Sequence, residues 1–241
     1  MDIKQLKKIL EEFGDNVRFE YDLKKKNWFN IGGKSKVYYK ANNLKDLVNF
    51  LKKLNNREKI FTLGAGSNTL INDNLFNGVV IKLSKNFNNI SLLGEDIVIA
   101  GSAVLDKSLS DFAMKNNLSG FEFLSCIPGS IGGGIKMNAG CFGREFKDTL
   151  VSIQAINKLG YLKTISSKDI KFEYRKNDLS DDLIFLSASF RGIKSSHNKI
   201  KNEVNKLKIE KEKNQPTKIK TSGSTFKNPI NQTDKKVWQL I

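Results

Sequence analysis

The chain has a single histidine, His197, and only two cysteines, Cys126 and Cys141. One imidazole cannot complete a ligand set, and the cysteine spacing fits no zinc pattern, so no metal is expected. The same scarcity removes any Ser-His or Cys-His catalytic pair beyond His197 itself. His197 lies in a polar stretch where a helical pattern begins and reads as a surface residue. The two cysteines read as free thiols in a reducing compartment. Proline is also scarce, with 3 in 241 residues, whereas 39% of the chain is hydrophobic and 16 residues are Phe. That balance excludes a disordered chain and is enough for one large or two modest cored domains. No apolar run reaches the length of about 18 residues that a membrane helix needs. The first eight residues lack the apolar core of a signal peptide. A cytoplasmic location without membrane insertion is therefore expected. Arginine contributes only five of the 41 basic residues behind the net charge of +16. The lysine excess is spread along the whole chain, with no arginine-and-aromatic stripe, so nucleic acid is not an expected partner.

What the chain does have is glycine in two dense segments. The first is Leu63-Gly64-Ala65-Gly66-Ser67-Asn68, and the second is Ile127-Pro128-Gly129-Ser130-Ile131-Gly132-Gly133-Gly134, running on to Asn138-Ala139-Gly140. Glycine lets a backbone approach a ligand closely and turn its N–H groups outward at positive φ. Two such loops flanked by Ser and Asn suit a diphosphate. Gly32-Gly33-Lys34-Ser35 imitates the end of a P-loop, but Trp28 holds the first glycine position and a lysine run precedes it. Gly64-Ala65-Gly66 begins like a dinucleotide fingerprint, but Thr69 holds the third glycine position and no helical run follows. An ATPase and a Rossmann site are both rejected. A third segment, Gly223-Ser224-Thr225-Phe226-Lys227-Asn228-Pro229, adds a hydroxyl and a cation.

Hydrophobic periodicity predicts helices over 2–12, 43–54, 105–116 and 198–213. Strands are predicted over 37–41, 59–63, 78–83, 90–93, 97–100 and 183–191, with a hairpin pairing 151–156 and 162–165. The start of the second glycine segment is predicted as a turn. Interleaved helices and strands, with strands in excess, give an α+β class. By itself Tyr174-Arg175 reads as a strand end with a surface arginine.

Taken in order, Trp28-Phe29-Asn30-Ile31-Gly32-Gly33, the two glycine segments, Tyr174-Arg175 and Gly223 to Pro229 resemble one family: the UDP-N-acetylenolpyruvoylglucosamine reductases, also called UDP-N-acetylmuramate dehydrogenases, in their compact subtype. The resemblance spans nearly the whole chain. It implies a two-lobed FAD-binding domain of the vanillyl-alcohol-oxidase (PCMH) type over 22–193, after an N-terminal helix and lead-in over 1–21. A substrate-binding α+β domain would begin at 194–241. FAD would be bound non-covalently by Gly64, Ala65, Gly66, Ser67 and Asn68, and by Pro128, Gly129, Ser130, Ile131, Gly132 and Gly133, with Asn138 and Gly140 beside them. NADPH would be the co-substrate, passing hydride to the flavin and thence to the enolpyruvyl ether of a UDP-sugar, giving the muramate precursor of peptidoglycan. Arg175 matches the arginine proposed to stabilise the enolate, and Ser224 matches the serine that protonates the adjacent carbon. Tyr174, Lys227 and Asn228 would bind substrate. Family members continue for several dozen residues past the segment matching Val237 to Ile241, where they carry a further glutamate. The resemblance therefore implies a shortened member with an incomplete substrate domain. It sets two readings beside the reductase: a non-catalytic FAD-binding fragment, and another FAD oxidase on the same scaffold. Arg175 and Ser224 together argue against the oxidase.

Overall fold

The structure, a computed structural model, describes residues 1–215, 226–229, 233, 235, 237 and 240. Its first lobe is a four-stranded sheet of β1 (Val17–Asp22), β2 (Lys34–Ala41), β3 (Ile60–Thr62) and β4 (Phe76–Leu83), in the order β1-β2-β4-β3. β1 pairs antiparallel with β2, while β2 and β3 flank β4 in parallel. Parallel strands in the middle of a sheet are covered on both faces, which is why Val79, Val80 and Ile81 are consecutive and all buried. Helices α1 (Ile3–Ile9) and α2 (Leu44–Leu54) cover one face. Leu6, Leu10, Phe13, Val37, Tyr39, Leu47, Phe50, Leu51, Val79 and Ile81 form that core. Tyr39 stacks on Phe50 with ring centroids 3.8 Å apart. The opposite face carries Leu23, Tyr38, Leu63 and Val80, and turns toward the glycine segments.

Sequence signals set the ends of α2. The Asn43 side chain accepts from the Asp46 amide at the N-terminus, and Asn55 closes the C-terminus in the left-handed conformation. The predicted helix over 2–12 is shorter than expected. It stops at Ile9 and continues as a 3-10 segment, Glu11–Asn16, broken by Gly14 at φ +49.

The second lobe is a five-stranded antiparallel sheet. It contains β5 (Ile90–Leu93), β6 (Ile97–Gly101) and the strands Leu150–Ile156, Leu162–Ser166 and Ile184–Arg191, with Ile184–Arg191 central. Helices α3 (Asp106–Lys115) and α4 (Ile131–Lys136) lie on it. Ile156, Ile184 and Leu186 reach out of this sheet into the first lobe's core, so the two lobes share buried apolar surface. Helix α5 (His197–Asn214) packs with Ile200, Val204 and Leu207 buried, and its first residue is exposed as predicted. No described helix is long and apolar enough to cross a membrane.

Three further outcomes differ from the sequence reading. β1 was not anticipated, and residues 21 and 22 both lie within it, so residues 1–21 build the first lobe rather than merely leading into it. Residues 193 and 194 likewise share a short strand, Ile193–Lys194. The second glycine segment is a turn only as far as Ser130, after which Gly132, Gly133 and Gly134 are helical within α4. Glycine is a poor helix former, costing about 1 kcal/mol relative to Ala. The reason for tolerating it is packing. A Cβ on Gly134 would sit 2.2 Å from the Phe146 ring, which is fully buried and edge-on to Phe123 and Phe190.

Gly134→Ala therefore sets a helix-propensity gain against an overpacked ring with nowhere to move. The clash should win, destabilising the fold by about 1–3 kcal/mol in urea unfolding. A stabilised variant would refute this account.

Candidate functional site

The first glycine loop follows β3 directly. Leu63 donates its amide to the Ile81 carbonyl (2.9 Å), and the chain then leaves the sheet. Gly66 has φ +72, and a Cβ there would lie 2.3 Å from the Lys26 carbonyl oxygen. The Trp28 amide donates to the Gly66 carbonyl (3.0 Å), and the Gly33 amide to the Asn72 carbonyl (2.9 Å). Residues 26–33 thus hold the loop, and the chain just beyond it, through backbone hydrogen bonds. Asn27 is buried and donates to the Ile31 carbonyl (2.7 Å), while its Oδ1 has no partner. Among the described residues no acceptor meets the amides of residues 64–68. A run of free N–H groups on a glycine loop can receive an anion.

The second loop meets the first. A Cβ on Gly64 would lie 2.8 Å from Ser130 Oγ. Leu105, just before α3, bridges Ser130, and the Asp106 amide donates to the Gly129 carbonyl (3.2 Å). The Asp106 carboxyl is completely buried beneath Gly129, whose added Cβ would fall 2.4 Å from Oδ2. Ser102 lies against Gly132. Ser102 Oγ, Ser130 Oγ and both Asp106 carboxyl oxygens are buried without hydrogen-bond partners. Buried polar groups are normally paired, so orphans gathered around one loop mark a place built for another molecule. Of the glycines in the two segments only Gly66 has positive φ. The expectation of outward-turned glycines therefore holds at one position, and close approach explains Gly64, Gly129 and Gly134.

Arg175 occupies a third corner. Phe172–Glu173 pairs with Lys176–Asn177 as a two-residue hairpin, leaving Tyr174 and Arg175 as the turn. Arg175 takes φ +59 and lays its guanidinium 4.7 Å from the Tyr174 ring centroid. Nη2 donates to the Gly140 carbonyl (2.7 Å) and Nη1 to the Asn138 carbonyl (3.4 Å), with Glu145 Oε1 at 3.7 Å. Asn138 is fully buried at φ +38. Its side chain donates to Glu145 Oε2 (2.9 Å) and the Glu173 carbonyl (3.1 Å) and accepts from the Lys147 amide (3.2 Å). The amide that follows, Ala139, returns to the Gly134 carbonyl of α4 (2.8 Å). Arg175, Tyr174, Asn138 and Gly140 are thus one assembly, tied to the second glycine segment. Beside it the Cys126 thiol is lowered to about 6 by its hydrogen bond with Cys141, by Ser125 and by the charges of Lys211 and Lys208, while Cys141 is pushed up. Both thiols are free.

Ser224 lies outside the described residues. Lys227 is exposed, and Asn228 accepts from the Val237 amide (3.2 Å). Nothing described joins either to Arg175. Sequence reasoning missed Asn27, Lys82, Ser102, Asp106 and Glu145. Lys82 alone carried a signal, as a lone charge within the apolar run of β4. Its ammonium donates to the Gly64 carbonyl. Among the described residues no group of His, Cys, Asp and Glu could hold a metal ion.

A family model of the FAD binding domain matches residues 35–166. UDP-N-acetylenolpyruvoylglucosamine reductase of Pelagibacter ubique (strain HTCC1062) is 64% identical over 241 residues, covering 100% of this chain and 80% of that protein. The Rickettsia typhi protein of the same name is 44% identical over 222 residues, covering 92% of this chain and 74% of its own length. Among solved structures, UDP-N-acetylenolpyruvylglucosamine reductase from Thermus caldophilus superposes with a TM-score of 0.78 at 27% identity, covering 90% of this chain and 77% of that one. p-Cresol methylhydroxylase superposes at 0.54 with 14% identity, covering 80% and 44%, a likeness of fold alone.

Burial raises the Asp106 pKa well above the usual carboxylate range. A carboxyl whose folded pKa exceeds its unfolded one contributes its full stability below the unfolded value and loses it as pH rises through the folded one. Asp106→Asn, neutral at every pH, should melt higher than wild type without FAD at about pH 7, and the gap should close toward about pH 4. Thermal melts across that range test this; a gap independent of pH would refute it.

Proposed function

The chain belongs to the UDP-N-acetylenolpyruvoylglucosamine reductase family, and from that premise we propose that it reduces the enolpyruvyl ether of a UDP-sugar, with NADPH as the reductant. The observation that carries the reading is the Arg175 assembly. A permanently charged, planar donor is held by the carbonyls of residues 138 and 140 directly after the glycine helix α4. The identity across the whole chain favours this reductase over a non-catalytic FAD binder.

The residues fit FAD by the orphaned hydroxyls of Ser102 and Ser130 and by the free amides of residues 64–68. Bound there, FAD supplies a carrier that takes hydride from the nicotinamide and gives it to a vinyl carbon. The chain's own residues do the rest. Gly64, Ala65, Gly66, Ser67 and Asn68 offer N–H groups to the diphosphate, and Pro128 to Gly133 bring the second backbone close. The Asn138 side chain is consumed by three internal hydrogen bonds, so its part is to hold the 138–140 carbonyls under Arg175. Arg175 keeps donors in reserve beyond the two those carbonyls take, and these meet the negative charge that builds on the substrate carboxylate as hydride adds. Tyr174 shields one face of the guanidinium. Ser224 gives the proton to the adjacent carbon, feasible for a weak acid because an enolate carbon is a strong base. Lys227 and Asn228 take the substrate's diphosphate. A nucleotide-sugar substrate and a nicotinamide reductant fit a cytoplasmic enzyme of peptidoglycan precursor synthesis.

The purified protein should be yellow and release flavin on denaturation. In stopped-flow absorbance, NADPH should bleach the flavin and the enolpyruvyl substrate should restore it. Arg175→Met and Ser224→Ala should each slow the restoring half-reaction by about 100- to 1,000-fold while leaving the bleaching half within a few-fold. Equal loss in both halves would remove the assigned roles. A protein that takes up no flavin would sink the reading itself.

A further inference from the structure

Alternation along β4 sends Val79, Ile81 and Leu83 into the core beneath α1 and α2, and so points Lys82 to the opposite face with Val80. There its Nζ reaches the carbonyl of Gly64, the residue where the two glycine loops touch. Lys82 is half-buried, and a lysine drawn partly out of water usually has a carboxylate beside it. Among the described residues neither Lys82 nor its neighbour Lys26 has an acidic partner in any ion pair. Lys26 is itself a cation, lying 5.4 Å from the Tyr21 ring centroid and 5.7 Å from that of Tyr38, and burial, with the Lys26 charge added to it, lowers the Lys82 pKa. Two like charges therefore stand together at the foot of a loop whose amides are free. Desolvation and mutual repulsion both oppose that arrangement, and the Gly64 carbonyl occupies only one of the three ammonium donors. An anion of about two charges would satisfy every term at once. An unpartnered hydroxyl, Ser130 Oγ, faces the same point from the second loop.

We propose that Lys82, with Lys26 beside it, is a cofactor-binding residue that contacts the diphosphate of FAD at the junction of the two glycine loops. This rests on the flavin reading. The competing role is purely internal: Lys82 pins the Gly64 carbonyl and shapes the loop without meeting the ligand.

Flavin-free full-length protein would be titrated with FAD and with riboflavin, which lacks phosphate, following flavin fluorescence at two or more salt concentrations. Lys82→Met should weaken FAD by about 10- to 100-fold, the scale of a charge-assisted hydrogen bond, while changing riboflavin binding less than about 2-fold. It should also flatten the salt dependence of FAD affinity. Lys82→Arg should recover most of the affinity, and Lys26→Met should lose about 3- to 10-fold with a flatter salt dependence. Equal weakening of FAD and riboflavin would assign Lys82 to the loop scaffold and overturn the proposal. So would an unchanged salt dependence in Lys82→Met or, if that variant does not fold, in Lys26→Met. Wild-type protein that binds no FAD at any salt concentration would instead defeat the flavin reading.

Discussion

Everything in this molecule turns on how closely the Gly64 backbone meets the Ser130 side chain. The first loop hangs from the mixed sheet of one lobe and the second opens a helix on the antiparallel sheet of the other. They touch where a Cβ on Gly64 would come within 2.8 Å of Ser130 Oγ. No real Cβ tolerates that distance without something shifting. Glycine here thus lets the lobes approach with the Ser130 hydroxyl set against the Gly64 backbone. The shared apolar surface of Ile156, Ile184 and Leu186 supplies the cohesion that makes the contact persist. The same approach leaves the Ser130 hydroxyl and the Asp106 carboxyl at or beside the contact without hydrogen-bond partners, and the Lys82 ammonium with a carbonyl but no carboxylate.

Those stranded groups set the energetic character of the site. An unpaired buried polar atom costs about 1–3 kcal/mol, and a folded domain has only about 5–15 kcal/mol in hand. Several such atoms around one loop are a substantial fraction of that margin. They are tolerable because the cores on either side are dense. The Tyr39–Phe50 stack and the Phe123–Phe146–Phe190 cluster are fully buried. Affinity for a polar ligand is bought at the expense of stability in the free protein, and the two cores carry the difference.

The elements with strong periodicity were legible from sequence. α2 appears with its Asn43 cap, and the hairpin across residues 157–161 and the strand before Arg191 lie where alternation put them. The exceptions share a cause: tertiary contacts overrode local preference. Three successive glycines argue against a helix, yet α4 forms, and at Gly134 only a residue without a Cβ fits against Phe146. β1 belongs to the first sheet through pairing with β2, a partner whose register no local pattern reveals. For the site, residue order carried both glycine loops and Arg175. Asp106, Ser102 and Asn27 stayed hidden because their distinction is a buried oxygen without a partner, which only three dimensions can display. Lys82 differs: a charge inside β4 is already anomalous in one dimension, and the structure supplies its cause.

Arg175 shows why such a site needs support from several elements. A left-handed backbone at a residue other than glycine costs about 1 kcal/mol or more, and here two such residues, Arg175 at φ +59 and Asn138 at φ +38, face each other. Each holds the other. The Asn138 carbonyl accepts from Arg175, and the Asn138 side chain fixes the Glu173 carbonyl just before the turn. Glu145 then touches both, which keeps the guanidinium from being an isolated charge in a half-enclosed setting. A flexible arginine on an unstrained turn would have to lose rotamer freedom each time it met a substrate carboxylate. This one has lost that freedom on folding, so more of its interaction remains for the charge that develops during reaction.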